Sequence, residues 1–116
     1  MATHSISMQG IGAAHLTAKK GTAATAGYPC HFTANDTVAN SASGGAFSGV
    51  VEGVRGSLVT VQFRGFVTLP YSGTAPTVGY GILVANGSGG VKSVQSGDSY
   101  LIVNVDTTAG TVCLLL

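Results

Sequence analysis

The stretch Ser57–Pro70, SLVTVQFRGFVTLP, constrains the fold of this chain more than any other. Its odd positions are Val59, Val61, Phe63, Gly65, Val67 and Leu69; its even positions are Leu58, Thr60, Gln62, Arg64, Phe66 and Thr68. One set is almost wholly apolar and the other is mixed, the period of two that belongs to a strand with one buried face. β-branched and aromatic residues dominate, as a pleated, half-buried surface favours. The phase survives across Gly65, so the run reads as one long strand bent there rather than as two strands. At ~3.3 Å per residue it would span roughly 40 Å, too long to lie flat in a small domain. Gly65 is therefore expected at a bulge or a barrel corner.

The rest of the chain supplies short extended pieces between turn signals. Tyr28–Ala34, Thr37–Asn40 and Ala46–Val54 precede the central run. Tyr80–Ala85, Val91–Gln95, Ser99–Val105 and Thr111–Leu116 follow it. In Ser99–Val105, Leu101, Val103 and Val105 are expected to share one face. Asn86–Gly90 and Asp106–Gly110 read as hairpin loops, and Pro70–Gly79 as a longer loop. The apolar end, TVCLLL, requires burial in a sheet or against a neighbour. No helical period and no clean internal repeat is legible. The expectation is an all-β fold, a small barrel or sandwich of short strands. Residues 1–27, rich in Ala, Thr and Gly, read as a flexible N-terminal arm, in which Ala13–Lys19 could form a short strand or one helical turn. Residues 28–116 read as a single β domain.

Composition narrows the function classes. Charged residues are 8% of the chain, against about 25% in ordinary globular domains. Hydrophobic residues are 45%, which argues against disorder. Sparse charge fits either a chain that works assembled on a partner or a small neutral β domain solvated by Ser and Thr. The basic residues, Lys19, Lys20, Arg55, Arg64 and Lys92, form no stripe in the sequence, so a nucleic-acid partner is not expected. No apolar run is long enough for a membrane-spanning helix. The N-terminus lacks the cationic and apolar regions of a Sec-type signal peptide. Cys30 and Cys113 are expected as two reduced, buried thiols, although a disulfide between them would close most of the chain.

No catalytic, metal-binding or cofactor-binding set emerges, and no enzyme activity is expected. Asp36, Asp98 and Asp106 stand in turn contexts, which leaves Glu52 without a paired carboxylate. His4, His15 and His31 lack ligand spacing. His31 adjoins Cys30, but strand neighbours point to opposite faces and cannot form a thiolate–imidazole dyad. Gly89–Ser93 is no phosphate loop, because Val91 separates Gly90 from Lys92 and a strand follows. The sequons at Asn35 and Asn86 read most simply as turns. Lys19-Lys20, with His15 and Leu16, is the one local cationic spot, either a partner contact or a solvated pair. Tyr71 and Tyr80 flank the Pro70–Gly79 loop, either as an exposed recognition tip or packed on a barrel end.

The run GTAATAGYPCHF, then FSGVVEGVRGSLVTVQFRGFVTLP, a Gly/Pro loop, a short hairpin and a strand pair ending in TVCLLL, resembles the small capsid decoration, or head-stabilising cement, proteins of tailed bacteriophages. The similarity covers roughly Gly21–Leu116. It implies a non-enzymatic virion protein made in the host cytoplasm. Such a protein would bind the major capsid protein on the outer surface of the shell, commonly as a homotrimer at local three-fold points. An N-terminal arm, here with His15, Leu16, Lys19 and Lys20, would order against the capsid. A receptor- or glycan-binding fibre module, using the Tyr71–Tyr80 loop, is the alternative.

Overall fold

The computed structural model describes residues 13–116. The described residues are all-β, with ten strands. They are β1 (Ala14–Lys20), β2 (Pro29–Ala34), β3 (Thr37–Asn40), β4 (Gly49–Arg55), β5 (Leu58–Arg64), β6 (Phe66–Ser72), β7 (Gly79–Ala85), β8 (Val91–Ser93), β9 (Ser99–Asp106) and β10 (Thr111–Leu115). They close into two separate five-stranded barrels, in the orders β1-β3-β2-β4-β5 and β6-β8-β7-β9-β10. The expected small β-barrel is therefore present twice.

The long central run is two strands. β5 ends the first barrel, β6 begins the second, and Gly65 alone stands between them. Gly65 adopts φ 98°, a region that disfavours any side chain. A Cβ there would also lie 2.8 Å from the Ala13 Cα. Gln62, buried at 6% exposure, braces the junction from inside. Its Nε2 donates to the carbonyls of Arg64 at 3.0 Å and Phe66 at 3.2 Å, one on each side of Gly65. The parity survives because both strands alternate, but the two alternations face different cores.

The barrels repeat one another strand for strand. Each is closed by a short parallel pair, β1 with β3 and β6 with β8. Every other pairing is antiparallel and has its counterpart, β1–β5 with β6–β10, β4–β5 with β9–β10, and so on. Both β4 and β9 carry one extra residue against their partners, Glu52 and Val103. That bulge corrects the expected face of β9: it shifts the phase so that Ile102 is buried, Val105 packs on the same core, and Leu101 and Val103 do not share that face.

The core positions correspond through the other pairings, although β7 meets β9 two residues out of step with β2 on β4. Leu16, Ala18, Cys30, Val38, Val51, Val59 and Val61 fill the first barrel. Val67, Leu69, Leu83, Val91, Ile102, Val112 and Leu114 stand at the corresponding places in the second. Phe47 leaves the first barrel and enters the second core, where its ring stacks on Tyr100 at 4.7 Å. The Tyr100 hydroxyl donates to the Phe47 carbonyl at 2.8 Å. The C-terminal strand β10 is paired on both sides, and Val112, Cys113 and Leu114 are buried.

The expected arm divides differently from its sequence boundary at residue 27. Ala14–Lys20 is β1, paired with β5 along its length and with β3 at its end. Its inward side chains, Leu16 and Ala18, are small in number but complete the first core. Residues 1–12, with His4, lie outside the described residues.

Candidate interaction surface

The first barrel brings scattered charges together. Lys19, Leu58 and Arg55 stand side by side across β1, β5 and β4. Thr17 and Thr60 form the next row. Leu58 is 49% exposed and Lys19 and Arg55 are exposed. A shallow depression of about 400 Å3 is lined by Thr17, Gly53, Val54, Arg55, Leu58 and Thr60. Four of the five basic side chains belong to this barrel, Lys92 alone to the other. Sequence reasoning missed Arg55 and Leu58 as site residues. The signal was the even parity of Leu58, which placed a large apolar side chain on the face opposite the core.

The sequence-derived contact set is only partly a surface. His15, Lys19 and Lys20 are exposed on β1, whereas Leu16 points inward and packs on the first core. His15 Nε2 lies 3.1 Å from Glu52 Oε1, with both side chains about two-fifths exposed. Glu52 is the extra residue of the bulge on β4.

The two tyrosines separate in the same way. Tyr71 packs against the second core, while Tyr80 is 80% exposed with Val78 beside it at 63%. They do not form one tip. Tyr80, Val78 and the Thr74–Thr77 loop line an open groove of about 380 Å3 with Ser93 and Val94.

Several other polar residues have structural partners. Asn86 Oδ1 accepts from Ser88 N–H at 2.8 Å and Gly90 N–H at 3.0 Å, closing its turn. Asp106 Oδ1 does the same for Thr108 and Ala109 at 3.0 Å each. Thr37 Oγ1 donates to the Asn35 carbonyl at 2.9 Å. His31 Nδ1 lies 3.2 Å from Ser41 Oγ, which donates to the Ala46 carbonyl at 2.9 Å. These contacts hold the β3–β4 loop. Cys30 and Cys113 are free and buried, and burial pushes the Cys30 thiol up to about 11. Among the described residues no three His, Cys, Asp or Glu side chains gather as a metal site. Gly89–Ser93 runs into strand β8, not into a helix.

No protein-family model matches the chain, and no curated protein matches it either.

Proposed function

We propose that this protein is a non-enzymatic structural component of a tailed-phage virion. In this reading it decorates the outer surface of the capsid as trimers at local three-fold positions, with the major capsid protein as its partner. The observation that carries the reading is the exposed Lys19–Leu58–Arg55 row on the first barrel. It is open and shallow, and it combines apolar area with cationic side chains, as a surface for another protein does. The sequence resemblance names the class of partner. A protein that binds only the assembled shell stabilises it by mass action.

Cosedimentation with empty shells of the encoding phage tests this. Stoichiometric binding and a raised shell denaturation temperature are expected, and Leu58→Glu should abolish both. Shells that ignore the folded protein would sink the reading. Tyr80 and Val78, exposed beside an open groove, favour a second reading as a glycan- or receptor-binding module. A blank glycan array, with attachment unaffected by Tyr80→Ala, would remove it.

A further inference from the structure

The two barrels meet through a contact that the chain makes once and could make again. The loop Ser41–Ser48, between β3 and β4, covers the outer edge of β7 in the second barrel. Gly44 N–H donates to the Ala85 carbonyl at 2.8 Å, and Ala85 N–H donates to the Gly45 carbonyl at 2.9 Å. Lys92 Nζ reaches Ser43 Oγ at 3.0 Å. Ala85 is left 1% exposed.

The first barrel has the corresponding edge, uncovered, with a register shift between Phe32 and Ala34 that β7 lacks. Phe32 on β2 stands opposite Val38 as Ala85 stands opposite Val91. The Val38 carbonyl accepts from Gly21 N–H on the far side of β3, so Val38 does not use it to bond Phe32. By the antiparallel pattern, the Phe32 N–H and C=O then face outward. β4 pairs β2 only at Pro29 and Cys30, so among the described residues no strand meets that edge. Phe32 is 47% exposed where its counterpart is closed over.

The second barrel has a shorter loop at the matching place, anchored on β7 at both ends by Val94 N–H to the Ile82 carbonyl and Leu83 N–H to the Asp98 carbonyl, both 3.3 Å, with its tip exposed. Val94–Asp98 joins β8 to β9 as Ser41–Ser48 joins β3 to β4. Ser96-Gly97 stands where Ser43-Gly44 stands, and both glycines have positive φ, 145° and 81°. Gln95–Asp98 is exposed, and the groove carrying Val78 and Tyr80 borders it at Ser93 and Val94. Net charge is complementary. Lys19, Lys20, Arg55 and Arg64 against Asp36 and Glu52 leave the first barrel at +2, while Lys92 against Asp98 and Asp106 leaves the second at −1.

We propose that copies of this chain associate head to tail. The β8–β9 loop and the Val78–Tyr80 patch of one copy seat on the open β2 edge at Phe32 of the next. An exposed strand edge is a template for pairing. The contact joins two different surfaces, so copies close a ring where the rotation permits and extend where it does not. This inference does not depend on a capsid partner.

Light scattering across a concentration series tests it, with circular dichroism to confirm folding. The full chain should exceed its monomer mass. Phe32→Lys should be monomeric, and so should the double variant Val78→Glu/Tyr80→Arg, which alters only exposed side chains. Mixing the two variants should restore one intact contact and give heterodimers that grow no further. A wild-type chain that stays monomeric overturns the proposal. So does oligomerisation unaffected by either variant, or a mixture that fails to pair. Oligomerisation that begins only when residues 1–12 are removed also overturns it, since that segment would then be the occupant of the edge.

Discussion

The two barrels share strand order, closure, the bulge on β4 and β9 and the choice of core positions, yet they are filled differently. Where the first has Ala18, Cys30, Val51 and Val61, the second has Leu69, Leu83, Ile102 and Leu114. The second core also takes Phe47 from the first barrel. What is held in common is backbone pairing and the choice of which positions point inward. Side-chain volume varies around that frame, as packing allows when each barrel closes on its own set. The fold is therefore specified by register, and its stability is weighted towards the second half.

Substitutions can break this comparison or sharpen it. The largest effect is expected at Phe47, which the β3–β4 loop of the first barrel buries in the second core. Phe47→Ala should cost about 3–5 kcal/mol and should separate one unfolding transition into two, seen by calorimetry. A single sharp transition in that variant would mean that Val50 and the hydrogen bonds of Gly44 and Gly45 with Ala85 suffice to couple the barrels. Next come the matched positions Leu83 and Cys30. Leu83→Ala should cost about 2–5 kcal/mol, whereas Cys30→Ala, a far smaller truncation, should cost roughly 1 kcal/mol in urea unfolding. Equal costs would show that the cores are equally committed.

Gly65→Ala tests the junction. The left-handed backbone alone should cost about 1–2 kcal/mol, and the backbone of Ala13 adds to it. Alkaline titration probes the barrels separately. Burial raises the Cys30 thiol from 9.0 to about 11. Burial, and then the Asp98 charge, raise the Tyr100 hydroxyl from 10.0 to about 12. Each group keeps its proton longer folded than unfolded, so its contribution is complete below the lower value and is lost as pH rises through the upper one. Urea midpoints should hold up to about pH 9 and then fall. Cys30→Ala should delay the fall by removing the first-barrel step. The smallest effect is expected at His15–Glu52, which is half-exposed: Glu52→Gln should change stability by under ~0.5 kcal/mol and salt should erase the difference.

Parity and turn chemistry made the strands legible. Asn86, Asp106 and the apolar end TVCLLL all behave as their sequence contexts imply. The duplication was not legible, because Ala18 and Leu69, or Cys30 and Leu83, share a place in the register and little chemistry. β1 was obscured for a related reason. Only Leu16 and Ala18 face inward on it, so AHLTAKK alternates weakly and reads as an arm. Gly65 stood out, but an unbroken parity cannot reveal that two strands face different cores. Of the candidate surface, the sequence left Tyr80 open between an exposed tip and a packed barrel end. The Lys19–Leu58–Arg55 row was not legible, since its members meet only through strand pairing.

Gly65 also has company from far along the chain. Its carbonyl accepts from Leu116 N–H at 2.9 Å, and Ala13 lies against its Cα side. The waist of the molecule is thus where the sequence passes three times. A short linker from Leu116 to Ala13 would close the described chain into a loop, and that loop could be reopened at Gly73–Val78 or between the barrels. To this fold, which barrel comes first along the polypeptide is arbitrary: circular permutants carrying the halves in reverse order should assemble the same pair.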